Sequence, residues 1–471
     1  MYKSILWVFF EKGFMTILQF LTLVILGRLL SVEDYGVYGT MIVFITVSDI
    51  LVDSGFGGAL IQKKEVTQKD INTLFFTNLS ISSFLYVVLF AIAPLLEDLY
   101  KIDGLTTYFR FQGLVVILFA LSVVQNSMLI RDMQFRKSAT IVVISNIISS
   151  AIAILMAYKG FGVWALIGQT LSNSMITTIW LWLSSKYKIT LRVSRDSFKS
   201  LWSFGSNLLM ANILSTIANN INSNIIPKIG SVLQSGLYLQ ANKVSSVPSN
   251  IISLSVDKSI FPILSREKDY ISILKKARGL NRMINFIFIP VFPMLSLCAS
   301  SIISIVLGDK WVDATLFFQI LSWGGLALIL QSQYRNIIKA TGNSRLILKV
   351  EILKTCIMLA IIFVAISFGV LFLVIGMTIS YYIGVFIWSY AVRKEIKYKY
   401  KDQIFDIIKP FSSAAVIYIA FSIIGIDYTK YASLVILPIY YLIYVLANLL
   451  ARNEETFFLL KRVHNKIIMK K

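Results

Sequence analysis

The chain has 471 residues, of which 57% are hydrophobic and only 15% are charged, and its mean hydropathy is +0.75. A soluble domain carries about 45–50% apolar and about 25% charged residues, so a water-soluble globule is excluded. Lysine and arginine number 45 against 24 acidic residues, which gives a net charge of +21. At about 20 apolar residues per span, this length accommodates about twelve to fourteen membrane helices.

The apolar segments predict an all-α integral membrane protein with about 14 transmembrane helices. The first segment runs past Leu30 without a small-residue cleavage site, so we interpret it as the first span and not as a signal peptide. The predicted spans cover residues 11–30, 37–61, 71–95, 106–130, 139–158, 164–183, 206–226, 236–259, 280–304, 315–335, 348–368, 370–391, 410–426 and 431–451.

The links between these spans differ sharply in charge when they are taken alternately. The set that includes both termini contains 35 lysine and arginine residues, and the other set contains five. Cytoplasmic loops of membrane proteins are rich in lysine and arginine, so both termini are predicted to be cytoplasmic. Orientation therefore explains most of the positive charge, and we expect no nucleic-acid partner.

The residues needed for several kinds of enzyme chemistry are scarce. The single histidine, His464, lies in the basic tail, and Cys298 and Cys356 both lie in apolar runs, so we expect neither a metal site nor a disulfide. The sequence lacks a Walker A motif, and its links are about twenty residues or fewer. We therefore expect a protein that is not an enzyme and that holds no cofactor.

Two segments that lie 200 residues apart resemble each other. The first joins spans one and two, the second joins spans seven and eight, and both pairs of spans have the same predicted orientation. The identical pairs are Ser31/Ser231, Val32/Val232, Gly36/Gly236 and Tyr38/Tyr238. A parallel repeat of this kind is typical of transporters; the alternative is a chance match of Ser, Gly and Tyr in the loops of a long chain. The repeat predicts an N-terminal six-helix lobe with its linker at 1–200, a second lobe at 201–405, and spans 13 and 14 with a basic cytoplasmic tail at 406–471.

Two motifs resemble those of a known family. They are Leu26-Gly-Arg-Leu-Leu-Ser-Val-Glu-Asp-Tyr-Gly-Val-Tyr38 and Asp53-Ser-Gly-Phe-Gly-Gly-Ala-Leu-Ile-Gln62, supported by Trp202-Ser-Phe-Gly205, Gly236-Leu-Tyr238 and Phe261-Pro262. In order and spacing the chain is similar to the polysaccharide flippases of the multidrug/oligosaccharidyl-lipid/polysaccharide exporter superfamily. Each motif alone is weakly specific, but together they point to this family, although they do not specify a substrate.

The resemblance implies a V-shaped pair of six-helix lobes that moves an undecaprenyl-diphosphate-linked sugar unit to the outer leaflet by alternating access. It also implies a bacterial cytoplasmic membrane location, membrane lipids as neighbours, and a polysaccharide polymerase with its chain-length machinery as partners. The driving force stays open between Na⁺, H⁺ and the membrane potential. Two alternatives remain: a cation-coupled multidrug antiporter of the same superfamily, and a membrane polymerase or ligase. Outer links of about ten residues or fewer disfavour the last.

Charges at membrane depth are the main site candidates, because they are costly unless they face a cavity or a partner. A diphosphate needs cations, and the candidates are Arg28, Arg110 and Lys243. Arg28 and Arg110 lie near the outer ends of their spans, where snorkelling is the competing interpretation. Lys243 lies roughly two turns into span eight, within the polar patch Gln240-Ala-Asn-Lys243.

Two carboxylates, Asp49 and Asp53, lie four residues apart and share one face of span two. Each either couples transport to an ion or pairs with a cation, and Asp53 has the further interpretation of a helix-end cap. Span seven is rich in amides, of which Asn212, Asn219 and Asn220 either contact sugar hydroxyls or join helices.

The predicted topology is tested by labelling single cysteines in a background in which Cys298 and Cys356 are replaced by serine. Cysteines near Asp103 and Asp313 should react with an impermeant reagent from outside, and cysteines near Lys276 and Lys399 only from inside. Labelling near Lys276 from outside would overturn the fourteen-span arrangement and, with it, the parallel repeat.

Overall fold

The computed structural model describes residues 2–53, 57, 60, 65–187, 189–199, 225–267, 269–424 and 432–450. Throughout these ranges the chain is α-helical, apart from short links and two 3₁₀ turns at Asp309–Ala314 and Ile366–Phe368. The helices are α1 (Tyr2–Leu29), α2 (Val32–Asp53), α3 (Gln68–Tyr100), α4 (Leu105–Arg131), α5 (Phe135–Tyr158), α6 (Val163–Ser184), α7 (Val232–Leu264), α8 (Tyr270–Phe288), α9 (Val291–Leu297), α10 (Ala299–Val306), α11 (Thr315–Ala340), α12 (Ser344–Ala365), α13 (Val370–Ile396), α14 (Tyr400–Ile424) and α15 (Ala432–Leu450).

These helices confirm the all-α prediction and its multi-pass character. Within the described ranges, nine helices or near-continuous helical stretches are long and apolar enough to cross a membrane, and shorter apolar helices lie at Gly13–Leu29 and Val435–Leu450. A helix is present at each predicted span except 206–226, nearly all of which lies outside the described residues. The total of fourteen spans and the orientation of the termini stay predictions.

Span nine differs from the single helix expected at 280–304. Its helical path begins at Tyr270, ten residues before the apolar segment, and is divided between α8, α9 and α10. Pro290 precedes α9 and Pro293 lies within it, and a proline has no backbone N–H to donate. The early start has a different cause, because Asp269 caps α8 by accepting a hydrogen bond from the N–H of Ser272 at 2.7 Å.

The connection between α3 and α4 shows how the links satisfy helix ends. Helix α3 begins with a capping box between Thr67 and Asp70 and ends at Lys101, which adopts a left-handed conformation with φ 53°. Glu97 then accepts hydrogen bonds from the backbone N–H groups of Gly104 at 3.1 Å and Thr106 at 2.7 Å. The hydrogen bonds from Thr106 and Gly104 lower the pKa of Glu97, so this carboxylate stays charged at the start of α4.

The chain divides into two compact units, Met1–Leu239 and Gln240–Lys471. In the first unit α4 is central and packs against α2, α3 and α6, while α5 packs between α1 and α6. In the second unit α11 has the corresponding place, packing against α9 and α13, and α12 packs against α13. The pairs α4/α6 and α5/α6 thus match α11/α13 and α12/α13, as a sequence repeat requires. The boundaries at 200/201 and 405/406 stay predictions.

Spans 13 and 14 are attached to the second unit through an aromatic and aliphatic cluster. Helices α14 and α15 pack on α9 and on the end of α8, and the fully buried Tyr440 and Tyr444 lie at the centre of this cluster. The Tyr440 hydroxyl donates to the carbonyl of Ala414 at 2.7 Å, and the Tyr444 hydroxyl donates to the carbonyl of Phe286 at 3.1 Å. Each buried phenol therefore has a hydrogen-bond acceptor on a neighbouring helix.

The repeated residues Ser31/Ser231 and Gly36/Gly236 have the same structural roles in both copies. Ser31 Oγ accepts the N–H of Asp34 at 3.0 Å, and Ser231 Oγ accepts the N–H of Gln234 at 3.1 Å, so each serine caps the following helix. Within the first unit, a Cβ atom at Gly36 would overlap the carbonyl oxygen of Val232. One at Gly236 would overlap the carbonyl oxygen of Val32. The repeat therefore places two glycines in a reciprocal close contact of backbones.

Replacing Gly36 by alanine should destabilise the protein by about 1–3 kcal/mol, because a backbone carbonyl cannot move aside as a side chain can. Gly279→Ala is the matched control, since nothing lies within 4 Å of a Cβ at that helical position; it should be neutral or slightly stabilising. The measurement is the Tm of each purified variant in detergent. Equal Tm values for Gly36→Ala and Gly279→Ala would contradict the close contact.

Candidate functional site

Arg28 and Arg110 occupy different environments in the first unit. Arg28 lies in the last turn of α1 with an exposed side chain, where a cation also complements the helix dipole. Arg110 is half-buried on α4, and its guanidinium carbon lies 3.9 Å from the centroid of the Phe90 ring. Its Nε also donates to the Phe90 carbonyl at 3.5 Å. A cation held over an aromatic face keeps several N–H donors available for an anion.

Lys243 is half-buried on α7, in the part of that helix that belongs to the second unit. One helical turn before it, Gln240 is completely buried. Within the described part of the chain, neither amide atom of Gln240 has a hydrogen-bond partner. A buried amide without partners is costly, so Gln240 marks this turn of α7 as a polar site that the fold itself does not satisfy. The sequence indicated the polar patch but did not distinguish Gln240 within it.

The two carboxylates of α2 differ in their contacts. Asp53 accepts a hydrogen bond from the backbone N–H of Gly57, and a Cβ at Gly57 would lie only 2.9 Å from Ser127 Oγ. Asp53 therefore has the local capping contact that one of its interpretations requires. Asp49 lies one turn earlier and is half-buried. Among the described residues, its Oδ1 atom has no hydrogen-bond partner and no cation forms an ion pair with it.

The predicted amides Asn212, Asn219 and Asn220 lie outside the described residues. Of the other predicted positions, Arg28, Arg110, Asp49 and Asp53 belong to the first unit and Lys243 to the second. Among the predicted positions that the structure describes, Asp49 and Asp53 lie one turn apart on the same helix, α2.

A charged cluster that the sequence did not single out lies at the basic end of the second unit. Arg282 Nε donates to Asp406 at 2.5 Å, and Arg278 pairs with Asp402 at 3.2 Å and with Asp406 at 3.3 Å. The Tyr398 hydroxyl also donates to Asp406, whose side chain is buried. The signal was present as two pairs with i,i+4 spacing, arginines on α8 and aspartates on α14. The cluster joins α14 to α8.

A second charged group lies within α12. Lys354 Nζ pairs with Glu351 at 2.5 Å and donates to Gln331 Oε1 on α11 at 3.3 Å. Gln331 in turn donates to the carbonyl of Tyr381 on α13 at 2.7 Å. Both charges therefore have neighbours inside the second unit, and we assign them to helix packing.

The family model described as "Polysaccharide biosynthesis protein" matches residues 25–316. The teichuronic acid biosynthesis protein TuaB of Bacillus subtilis (strain 168) is 22% identical over 426 residues, which cover 88% of this chain and 87% of TuaB. The lipopolysaccharide biosynthesis protein WzxC of Escherichia coli (strain K12) is 20% identical over 337 residues, which cover 70% of this chain and 68% of WzxC. The succinoglycan biosynthesis transport protein ExoT of Rhizobium meliloti (strain 1021) is 24% identical over 298 residues, which cover 63% of this chain and 60% of ExoT.

Two solved structures share the fold. The lipid II flippase MurJ in an inward closed conformation superposes with a TM-score of 0.78 at 13% identity, over 96% of this chain and 99% of MurJ. An inward-facing multidrug resistance MATE family transporter gives a TM-score of 0.60 at 15% identity, over 81% of this chain and 94% of the transporter. At such low identity these likenesses show the fold alone. The family match covers more than half of the chain, and the protein is accordingly a multi-pass membrane member of the polysaccharide biosynthesis protein family.

Proposed function

We propose that the protein is a flippase that moves an undecaprenyl-diphosphate-linked oligosaccharide repeat unit across the bacterial cytoplasmic membrane by alternating access, for surface polysaccharide biosynthesis. The observation that carries this proposal is the family match, in a chain whose fold matches that of a lipid II flippase over nearly its whole length. Relatives named for lipopolysaccharide biosynthesis and for succinoglycan transport support the same substrate class. The assignment of a polyprenyl diphosphate as the lipid carrier rests on the motif resemblance.

The proposal includes fourteen membrane helices with both termini in the cytoplasm. The charge difference between alternate links supports this orientation. Released on the outer side, the sugar unit would pass to a polysaccharide polymerase with its chain-length machinery.

Arg28, Arg110 and Lys243 are proposed to neutralise the diphosphate during transport. Guanidinium groups bind phosphate oxygens with two parallel hydrogen bonds, and an ammonium acts as a compact charge with three donors. The unsatisfied amide of Gln240, one turn from Lys243, supports a polar ligand at this part of α7, because a sugar hydroxyl or a phosphate oxygen satisfies an amide. We propose Asn212, Asn219 and Asn220 as sugar contacts on the same chemical ground.

Asp49 is proposed as the carboxylate that couples transport to Na⁺ or H⁺, and Asp53 as a residue that supports the end of α2. The unpartnered oxygen of Asp49 favours coupling over a static charge pair, since a pair would occupy that oxygen in the resting structure.

The function is tested by complementing a bacterial strain that lacks its own repeat-unit flippase and has a chemically related glycan. The intact protein should restore surface glycan and remove the lipid-linked intermediate that accumulates in the cytoplasmic leaflet. Resistance to cationic drugs without glycan export would instead identify a multidrug antiporter. Lengthened glycan chains with unchanged flipping would identify a polymerase.

Replacing Lys243 by alanine should reduce glycan export about 10- to 100-fold, because a charge-assisted hydrogen bond contributes about 1.5–3 kcal/mol. Lys243→Arg should retain part of the export, since the charge remains while the geometry changes. Lys159→Ala is the matched control, because Lys159 is exposed at the end of α5 in a predicted outer link. Export is measured per folded molecule in the membrane. Unimpaired export by Lys243→Ala would remove Lys243 from the site.

Replacing Asp49 by asparagine should stop transport and leave the amount of folded protein near normal, because an amide mimics only the neutral carboxyl group. A static pair predicts the opposite pattern: less folded protein, at a cost of about 3–5 kcal/mol, restored by also neutralising the partner. Transport and abundance are therefore measured in Asp49→Asn and in its doubles with Arg28→Gln and Lys243→Gln. Rescue of abundance by either double would contradict coupling, and full activity of the single variant would contradict both roles.

A further inference from the structure

A cavity of about 460 Å³ lies in the first unit between the start of α5 and the end of α6. Its lining residues are Gln134, Arg136, Lys137, Thr140, Ile141 and Trp180. The lining combines two cations with an aliphatic and an aromatic side chain. None of these residues belongs to the proposed transport site.

The cationic and the apolar residues of this lining are held in place by different contacts. Lys137 Nζ donates to the carbonyl of Ser184 at the end of α6, at 2.7 Å, which fixes the ammonium and leaves two of its three donors for a ligand. Arg136 is exposed beside it. Trp180 packs against the buried cluster of Leu129, Ile141 and Leu181. The lining of the cavity is thus part cationic and part apolar.

The cavity lies at the end of the helices that faces the basic links. Its cations belong to the link 131–138, one of the set that carries the excess of lysine and arginine. In the predicted orientation this is the cytoplasmic membrane surface, where tryptophan characteristically lies at headgroup depth. Cations beside apolar side chains at this depth match the boundary between a phosphate headgroup and an acyl chain.

A neighbouring segment, residues 185–199, of which 185–187 and 189–199 are described, extends this basic surface. The Tyr187 hydroxyl donates to Asp132 at 3.1 Å, Asn72 and Thr190 exchange two hydrogen bonds, and the N–H of Ser194 donates to Thr73 at 3.0 Å. Burial and the contact with Asp132 raise the pKa of Tyr187, so this phenol stays protonated and keeps donating. The segment is therefore held against the ends of α3 and α4.

The exposed side chains of this segment are both apolar and basic. Leu191 is 89% exposed and Val193 is 61% exposed, and the exposed cations Lys186, Arg192, Arg195 and Lys199 lie among them. Basic residues interleaved with apolar ones are the composition that binds the surface of an anionic membrane.

We propose that the cavity between α5 and α6 binds the headgroup of an anionic phospholipid of the cytoplasmic leaflet, with the segment 185–199 lying on the same leaflet. Arg136 and Lys137 bind the phosphate, and Trp180 packs against the first part of an acyl chain. The lipid is a resident of the first unit and is distinct from the transported substrate. Complementary charge decides for an anionic lipid over a zwitterionic one.

The test measures lipids retained by the purified full-length protein, by native mass spectrometry, after equilibration with phosphatidylglycerol or phosphatidylethanolamine. The intact protein should retain phosphatidylglycerol preferentially. The double variant Arg136→Gln/Lys137→Gln should weaken this binding about 25-fold, at about fivefold for each charge near the membrane surface. The matched control is Lys101→Gln/Lys159→Gln, which removes two exposed cations from the opposite ends of helices in the same unit. The control should bind like the intact protein.

Arg136→Gln alone keeps the contact between Lys137 and Ser184, so it separates loss of binding from loss of folding; we expect about fivefold weaker binding at an unchanged Tm. Intact phosphatidylglycerol binding in the folded double variant would overturn the proposal. Equal retention of phosphatidylethanolamine would overturn the preference for an anionic lipid. Displacement of the lipid by inorganic phosphate at equal concentration would identify a site for a free anion instead. Each of these results is independent of whether the protein transports a glycan.

Discussion

A backbone inside a hydrocarbon layer has to satisfy its own hydrogen bonds, and the described part of this structure follows from that constraint. The chain meets it with helices and leaves irregular backbone to short links. At three helix starts a side chain supplies a missing partner: Ser31 and Ser231 each cap a helix, and Glu97 accepts a backbone N–H at the start of α4. At the interruption, Pro290 has no N–H to bond the carbonyl of Phe286, and the Tyr444 hydroxyl donates to that carbonyl at 3.1 Å.

The same constraint requires each charge at membrane depth to have a polar or aromatic partner or to face a cavity. Arg110 lies over Phe90, Lys354 pairs with Glu351, and Asp257 accepts hydrogen bonds from Ser332 and Asn336. Asp49 and Gln240 stand apart from these groups, because buried polar atoms of each have no partner among the described residues. An unsatisfied polar atom in a dry environment costs free energy in the resting state. Such a cost is understandable where a transported ion or ligand removes it in another step of the cycle.

Hydrophobic segments predicted the helices, because they depend on local sequence, while the orientation that the charges indicate stays a prediction. The hydrophobic segments did not predict that α8 begins at Tyr270, ten residues before its apolar segment. That extension is amphipathic, and Arg278 and Arg282 find their partners Asp402 and Asp406 more than a hundred residues later. The burial of Gln240 could not be predicted from the sequence either, since the sequence of a single helix does not reveal which of its faces a neighbouring helix covers. Long-range pairing thus limits what a sequence alone can predict.

The internal repeat separates what the fold requires from what function requires. Where both copies need the same geometry, the residue is the same: Ser31 and Ser231 cap, and Gly36 and Gly236 permit close backbones. Two of the proposed functional charges, Asp49 and Lys243, fall where the copies differ, whereas Arg28 and Arg110 are matched by lysines at Lys228 and Lys310. At the same offset of 200 residues, Asp49 corresponds to Ser249, whose hydroxyl bonds its own helix, and Lys243 corresponds to the buried Val43. Because each copy folds with a neutral residue at one of these positions, packing does not demand either charge. A charge that packing does not demand, at membrane depth, is best explained by what the protein binds.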